Sequence, residues 1–353
     1  MLKSKIVGIL VMVLLFSLLS GTIMAQNVSL KSGGASFPYP LYSKWMDVYT
    51  ENNPEVKIDY QSIGSGGGIR GIIDKTFDYA GSDAPMKDEE LERADGEIMH
   101  IPTVMGAVVV TYNVPDTEEQ IKLTSKNIAD IYLGKITRWN DEKIKENNPE
   151  VELPDKYIVV VRRSDGSGTT NAFTDYLSKV SEEWKEQVGY GKAVQWPTGM
   201  GAKGNEGVAG QVSQIDGAIG YVELAYAIEN DLPYASIQNK DGKFVEPSLD
   251  TTSQAAAGAL ADMPDDMRVS ITDQPGEKSW PIATFTYLLV YEEYEDEEKA
   301  GAMIDYIWWA LSEGQEHARE LLYAPLPDSL LEEVRGKLES ITVDGKPVRP
   351  DLN

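Results

Sequence analysis

Three short segments of the chain combine glycine with serine or threonine, at residues 33–37, 64–68 and 166–170. Each stands at the start of a predicted helix, where the first N–H groups have no partner within the helix and carry a partial positive charge. Glycine lets the backbone approach a ligand, and each hydroxyl adds a donor, so these segments suit an anion. One such segment is more often a simple helix cap, but three in one chain favour an anion site.

Charged residues beside these segments extend the pattern. Arg162 and Arg163 directly precede the third segment, and a guanidinium binds an oxyanion through a bidentate fork. Asp165 is suited to hold that fork by a salt bridge, although aspartate is also an ordinary turn residue. Asp83 lies in a Gly-Ser-Asp-Ala-Pro turn at residues 81–85, and the same ordinary explanation applies to it.

Motifs for nucleotide binding or hydrolysis do not appear in the sequence. There is no GxxxxGK[ST] string, and residues 64–67 lack the rest of the dinucleotide pattern. Ser167 is not part of a GxSxG turn. The chain has no Cys and only two His, which excludes thiolate metal sites and gives little support to histidine-based catalysis. We therefore expect no catalytic residue, no metal and no cofactor.

The composition restricts the class of partner. The 353 residues include 57 Asp or Glu and 32 Lys or Arg, so the formal net charge is -25. This balance argues against nucleic acid, because a protein that binds nucleic acid needs a basic face, and against docking on anionic lipid. A hydrophobic content of 42% supplies a full core, and the length suggests about two domains.

The first 25 residues have the three parts of an export signal. Two lysines precede an apolar run at residues 6–19, and Ala25 offers a small residue before a cleavage point. We expect cleavage there and a mature protein outside the cytoplasm. A retained N-terminal anchor stays the alternative, because residues 6–24 nearly reach the ~20 apolar residues of a membrane span.

Strands and helices alternate along the rest of the chain, which indicates an α/β fold with largely parallel sheets. A glycine-rich stretch at residues 196–205 is interpreted as a loop between lobes. Helices are predicted at residues 41–49, 69–75, 124–132, 141–146 and 171–179 and through most of 299–341. Strands are predicted at residues 56–60, 77–80, 103–112, 157–161, 219–222 and 282–291.

Six longer strings carry a resemblance to a known family. They are Gly34-Ala35-Ser36-Phe37-Pro38, Ile63-Gly64-Ser65, Gly81-Ser82-Asp83-Ala84-Pro85, Ile131-Tyr132-Leu133-Gly134-Lys135-Ile136, Val161-Arg162-Arg163-Ser164-Asp165-Gly166-Ser167-Gly168-Thr169 and Gly217-Ala218-Ile219-Gly220-Tyr221-Val222-Glu223. On these strings the chain resembles the extracytoplasmic phosphate-binding proteins of high-affinity phosphate ABC transporters, and the match is collinear from about residue 33 to residue 327.

The resemblance implies the fold and the division of the chain. The family has the type II periplasmic-binding-protein fold, in which two α/β lobes, each a mainly parallel sheet flanked by helices, are joined by two hinge crossings. It implies that residues 26–113 plus 284–353 form one lobe and residues 114–283 the other. The crossings are then expected within the strands at residues 103–112 and 282–291.

The resemblance also implies the function. Inorganic phosphate would bind in the interlobe cleft and pass to the membrane permease of an ABC transporter. The protein would be a monomer, and it would not be an enzyme. Gly66 departs from the family, because a second serine is common there, and Ser36 stands where threonine is usual. The family's ligand shell falls on Ser36, Phe37, Ser65, Asp83, Arg163, Ser167, Gly168 and Thr169, with Asp165 in support.

Asp83 is unusual in this set because it places a carboxylate against an anion. We expect it to be deprotonated and to accept the proton that phosphate carries near neutral pH. Sulfate carries no proton, so the lone pairs of a sulfate oxygen would face those of the Asp83 carboxylate and repel them. Two alternatives stay open: a phosphate-ester hydrolase using Ser167, which would need a base and usually a metal, and a receptor for sulfate or molybdate, against which Asp83 argues.

Overall fold

The structure is a computed structural model that describes residues 27–115, 117, 119–260 and 263–352. The expected export signal at residues 1–25 lies outside these ranges. Within them, no helix combines the length and the apolar character that crossing a membrane requires.

The described residues form thirteen helices and fifteen strands. The helices are α1 Tyr39–Asn52, α2 Ser65–Ile73, α3 Asp88–Leu91, α4 Ser125–Tyr132, α5 Glu142–Lys145, α6 Gly168–Val180, α7 Glu182–Gln187, α8 Gly204–Gln214, α9 Leu224–Glu229, α10 Leu249–Leu260, α11 Glu297–Leu311, α12 Gln315–Glu320 and α13 Asp328–Glu339. The strands are β1 Val28–Gly34, β2 Val56–Ser62, β3 Tyr79–Ser82, β4 Ile98–Tyr112, β5 Lys122–Leu123, β6 Val159–Arg163, β7 Met200–Ala202, β8 Ala218–Glu223, β9 Ser236–Gln238, β10 Phe244–Val245, β11 Ala283–Tyr291, β12 Glu293–Tyr294, β13 Ala324–Pro325, β14 Thr342–Val343 and β15 Lys346–Pro347.

Nine strands form one mixed sheet in the order β2-β1-β3-β11-β4-β8-β6-β7, with β13 beside β4. At one end β2, β1 and β3 are parallel, and at the other end β8, β6 and β7 are parallel. The strands β4 and β11 join the two groups and run antiparallel to their neighbours. Two parallel groups joined in this way are the two lobes of the predicted fold.

Strand β4 pairs with both β11 and β8 and so connects the two groups. Its residues 98–107 pair with β11 and its residues 108–112 pair with β8, so its partner changes between Ala107 and Val108. All fifteen residues are buried, as a strand with Val at 108, 109 and 110 in the middle of a sheet requires. Beside this point, Val108 donates its N–H to the carbonyl oxygen of Ile282, just before β11 begins.

The second and third glycine-hydroxyl segments form the first turns of helices, whereas residues 33–37 end β1 and form the turn before α1. Helix α2 begins at Ser65, after Gly64 with a φ of 81°, and α6 begins at Gly168 rather than at Asn171. The loop interpretation of residues 196–205 is wrong in two places, because Met200–Ala202 form β7 and Gly204 and Asn205 begin α8. Gly204 has a φ of 74°, which turns the chain sharply from β7 into that helix.

Candidate functional site

Helices α2 and α6 meet at their N-termini. The Oγ of Ser65 accepts the N–H of Gly168 at 3.0 Å and the N–H of Asp83 at 3.2 Å. Glycine is required at 168, because a Cβ there would lie 2.5 Å from Asp83 Oδ2 and 2.6 Å from Ser65 Oγ. The structure therefore brings three predicted site residues together from segments far apart in the sequence.

Asp83 lies at the centre of this contact and is only 2% exposed. Its Oδ1 accepts the hydroxyl of Thr286 at 2.9 Å, and its Oδ2 accepts the hydroxyl of Ser65 at 3.4 Å. Burial raises the pKa of Asp83 to about 7, although these hydrogen bonds and the charge of Arg163 oppose the rise. Both protonation states are then populated near neutral pH, whereas we expected the ionised form from the sequence.

Arg163 ends strand β6 and is nearly inaccessible to solvent. Its Nε and Nη2 donate to the two carboxylate oxygens of Asp165 at 2.7 and 2.5 Å, and its Nη1 donates to Thr169 Oγ1 at 3.4 Å. Asp165 also accepts the N–H of Gly204 at 3.2 Å. Burial alone would raise the pKa of Asp165, but the ion pair with Arg163 outweighs it and lowers that pKa. Asp165 thus holds one edge of the guanidinium and leaves its Nη1 side to face the hydroxyl of Thr169.

The start of α6 offers backbone donors. Ser167 is the N-cap, and its Oγ accepts the N–H of Thr170 at 3.0 Å. In the described part of the chain, no hydrogen bond uses the backbone N–H of Thr169 in this helix. The same holds for the N–H of Ser65 at the start of α2 and of Phe37 in the turn before α1. Helix starts with free N–H groups attract anions.

Ser36 and Phe37 join the cluster from the turn between β1 and α1, and both are buried. The Oγ of Ser36 accepts both the side-chain Nδ2 of Asn205 at 2.9 Å and its backbone N–H at 3.2 Å. The carbonyl oxygens of Ser36 and Phe37 accept the hydroxyls of Tyr226 at 2.6 Å and Tyr323 at 2.7 Å. Asn205 and Tyr226 therefore contact Ser36 from positions 169 and 190 residues further along the chain.

Several residues of this network were not predicted as site residues. The sequence places Asn205 in a predicted loop, and no local sequence feature marks Tyr226 or Tyr323 as a site residue. Glu223 is fully buried, with Oε2 accepting the N–H of Ala225 at 2.8 Å and lying 2.9 Å from the Tyr323 hydroxyl. Burial raises the pKa of Glu223 well above its usual range. Glu223 ends the string at residues 217–223, but nothing in its local sequence marks it as a buried acid.

Gly66 also has a structural explanation. Its N–H donates to Gly166 O at 2.9 Å, and a Cβ at 66 would lie 3.1 Å from Gly166 Cα. The two backbones approach so closely here that the small residue permits direct contact between α2 and the segment before α6. The described residues contain no group of three or more His, Asp or Glu side chains that would hold a metal ion.

A cavity of about 460 Å³ opens beside Asp83. Near it, Glu90 pairs with Lys192 at 2.7 Å and Asp88 pairs with Arg268 at 2.8 Å. Each ion pair joins residues more than 100 positions apart in the sequence. In each pair the acidic residue precedes β4 in the chain and the basic residue follows it. These two ion pairs therefore lie beside the cavity, close to the buried polar cluster.

A buried donor cluster between two lobes is the arrangement of a two-lobed solute-binding protein, and comparison with known proteins agrees. The model of the PBP superfamily domain matches residues 20–313. The phosphate-binding protein PstS of Pasteurella multocida is 47% identical over 340 residues, covering 96% of this chain and 97% of that protein. PstS of Haemophilus influenzae is 45% identical over 314 residues, covering 89% and 93%.

Solved structures show the same fold. A high affinity periplasmic phosphate-binding protein bound with phosphate gives a TM-score of 0.69 at 20% identity, over 88% of this chain and 93% of that chain. The phosphate-binding protein from Stenotrophomonas maltophilia gives a TM-score of 0.67 at 19% identity, over 88% and 93%. The chain therefore belongs to the PBP superfamily and, within it, to the PstS family of phosphate-binding proteins.

Proposed function

We propose that the protein binds inorganic phosphate between its lobes outside the cytoplasm and delivers it to the permease of a phosphate ABC transporter. The observation that carries this is a single buried carboxyl, Asp83, among the donors of Ser65, Gly168 and Arg163. The names of the PstS relatives support the ligand.

The chemistry of the cluster suits a protonated oxyanion. Burying an anion removes its water, so the site must replace many hydrogen bonds with fixed donors. Helix starts, hydroxyls and Arg163 supply these donors, while Asp83 supplies an acceptor for a ligand proton. Phosphate retains a proton near neutral pH and sulfate has none, so the proton shared with Asp83 identifies phosphate.

The ligand shell that we propose has eight residues, with Asp165 holding the guanidinium in place. Its members are Ser36, Phe37, Ser65, Asp83, Arg163, Ser167, Gly168 and Thr169. The lobes are proposed as residues 26–113 plus 284–353 and residues 114–283, and the partner change within β4 at residues 107–108 supports a hinge there. Rotation about this hinge would admit the ligand and then bury it.

The function is tested by a competition titration of the purified mature protein with phosphate and sulfate. Phosphate is expected to bind and sulfate to compete poorly, and equal binding of both would contradict the proposal.

A phosphomonoester assay tests the hydrolase alternative. The Oγ of Ser167 accepts the N–H of Thr170, as the side chain of an N-cap serine normally does. Since the relatives are named as phosphate-binding proteins, we expect no turnover.

Export is proposed from the sequence of the first 25 residues. We expect the mature chain to begin near Gln26 and to be a monomer in solution. Intact-mass analysis of released protein, with sedimentation for the oligomeric state, measures both. A mass that retains residues 1–25, in protein held by the membrane fraction, would favour the anchor instead.

A further inference from the structure

Asn205 contacts two of the proposed ligand hydroxyls at once. Its Nδ2 donates to Ser36 Oγ at 2.9 Å and to Thr169 Oγ1 at 3.2 Å, and its backbone N–H donates to Ser36 Oγ at 3.2 Å. All three residues are buried. Ser36 lies beyond β1 and Thr169 in α6, so the amide bridges the two lobes.

The orientation of the Asn205 amide follows from its other contact. Its Oδ1 accepts the backbone N–H of Glu223 at 3.0 Å. A backbone N–H only donates, so the amide oxygen must face Glu223, and the NH₂ group must face the two hydroxyls. The amide therefore acts only as a donor toward Ser36 and Thr169.

The hydrogen bonds that Ser36 and Thr169 already accept determine the direction of both hydroxyls. A hydroxyl has one proton and two lone pairs. The lone pairs of Ser36 Oγ accept the two N–H groups of Asn205, and those of Thr169 Oγ1 accept Asn205 Nδ2 and Arg163 Nη1. Across the described residues, neither hydroxyl donates to a protein acceptor. Each O–H proton is left to be donated to a ligand.

We propose that Asn205 is a positioning residue that fixes the Ser36 and Thr169 hydroxyls as donors to the bound anion. This inference rests on the phosphate-binding function proposed above. Without the amide, either hydroxyl can rotate and present a lone pair to the ligand, which repels an anion. Asn205 also joins its two hydroxyls only when the lobes are closed, so it couples closure to donor geometry.

The first test is a mutant cycle measured by calorimetric titration with phosphate. Asn205→Ala is expected to weaken binding roughly ten- to a hundredfold, the usual cost of leaving buried polar groups without partners. In a background of Ser36→Ala with Thr169→Val, the same change should cost less than about threefold, because the hydroxyls it positions are gone. An equal loss in both backgrounds would show that Asn205 does not act through these hydroxyls.

The matched control is Asn127→Ala. Asn127 is also buried, but its side chain bonds only to backbone groups of Thr124 and Lys143. Its loss should lower the melting temperature and leave the phosphate affinity unchanged. If Asn127→Ala weakens phosphate binding as much as Asn205→Ala does, general destabilisation explains both effects and the inference falls.

Asn205→Asp tests the direction of the hydrogen bonds without changing size. An ionised carboxylate only accepts, so it should reverse both hydroxyls and weaken binding more than alanine does. As the pH falls and the carboxyl regains a proton, the ratio of variant to wild-type Kd should fall, and this change should shrink in the background without hydroxyls. A ratio with the same pH dependence in both backgrounds would assign the effect to charge alone and overturn the inference.

The wild-type titration separates the two proposals. If the wild type does not bind phosphate, the proposed function fails and this inference fails with it. If the wild type binds phosphate and Asn205→Ala binds it equally well, the inference alone is overturned.

Discussion

The substitution Asp83→Asn addresses how the site distinguishes phosphate from sulfate. The carboxyl is buried, and its pKa is raised to about 7. To bind sulfate, which brings no proton, the protein must first protonate Asp83 so that it donates instead of accepting. At pH 9, about two units above this pKa, protonating Asp83 costs about 3 kcal/mol, which lowers the sulfate affinity roughly a hundredfold. At pH 6 the carboxyl is already protonated and the cost nearly vanishes.

The pH profiles of the two anions should therefore differ. In the wild type, sulfate affinity should rise about tenfold for each pH unit between pH 9 and pH 7 and then level off. Phosphate affinity should change much less, because phosphate brings a proton of its own. In Asp83→Asn the sulfate profile should be flat, and at pH 9 the phosphate-to-sulfate affinity ratio should be roughly ten- to a hundredfold lower than in the wild type.

The assay is calorimetric titration of both anions from pH 6 to pH 9 at constant ionic strength. Asp216→Asn serves as the control, because Asp216 is an exposed carboxylate paired with Lys156 and should leave both profiles unchanged. A flat sulfate profile in the wild type, or an unchanged affinity ratio in Asp83→Asn at pH 9, would refute the idea that Asp83 detects the ligand proton. Asp83 would then have only a structural role in its turn.

Three further changes test other parts of the site. Arg163→Ala should weaken phosphate binding by about 2 kcal/mol or more, with partial recovery in Arg163→Lys and little effect in Arg162→Ala, all by titration. Gly168→Ala should weaken binding at least about tenfold, because its Cβ would lie 2.5 Å from Asp83 Oδ2, whereas Gly210→Ala, with no atom within 4 Å, should not. Burial raises the pKa of Glu223, so the stability that its neutral form contributes is complete below the ordinary glutamate pKa of about 4.3 and is lost as the pH rises toward the folded-state pKa. Glu223→Gln should remove this loss, so its melting temperature should fall less with rising pH than that of the wild type.

The parts of the site that the sequence predicted are local in character. Ser65, Ser167 and Gly168 lie at helix starts, and their hydroxyl and glycine types signal that position within a few residues. Arg163 and Asp165 are two residues apart, so their salt bridge could be predicted from spacing alone. The alternation of strands and helices similarly predicted the α/β fold, because it reflects local periodicity.

The parts that escaped prediction depend on contacts between distant segments. Thr286 donates to Asp83 across 203 positions, and Tyr323 reaches Phe37 across 286. Neither residue differs in its local context from an ordinary buried polar residue of a strand or turn. The raised pKa of Asp83 has the same origin, since it arises from burial by the assembled lobes and not from neighbours in the sequence.

The charges around the cleft indicate that selectivity between anions depends on one hydrogen-bond acceptor, Asp83. The chain carries a net charge of -25, and the buried charge of Arg163 is balanced by Asp165, so neither supplies a strong attraction for a second negative charge. Attraction must come from N–H and O–H dipoles, which suit any tetrahedral oxyanion equally well. Donors of this kind cannot tell phosphate from sulfate, whereas a carboxyl that shares the ligand's proton can. If the Ser36 and Thr169 hydroxyls were free to rotate, they would offer further acceptors and blur this difference. In the role that we propose for Asn205, both hydroxyls stay donors, and Asp83 alone distinguishes the two anions.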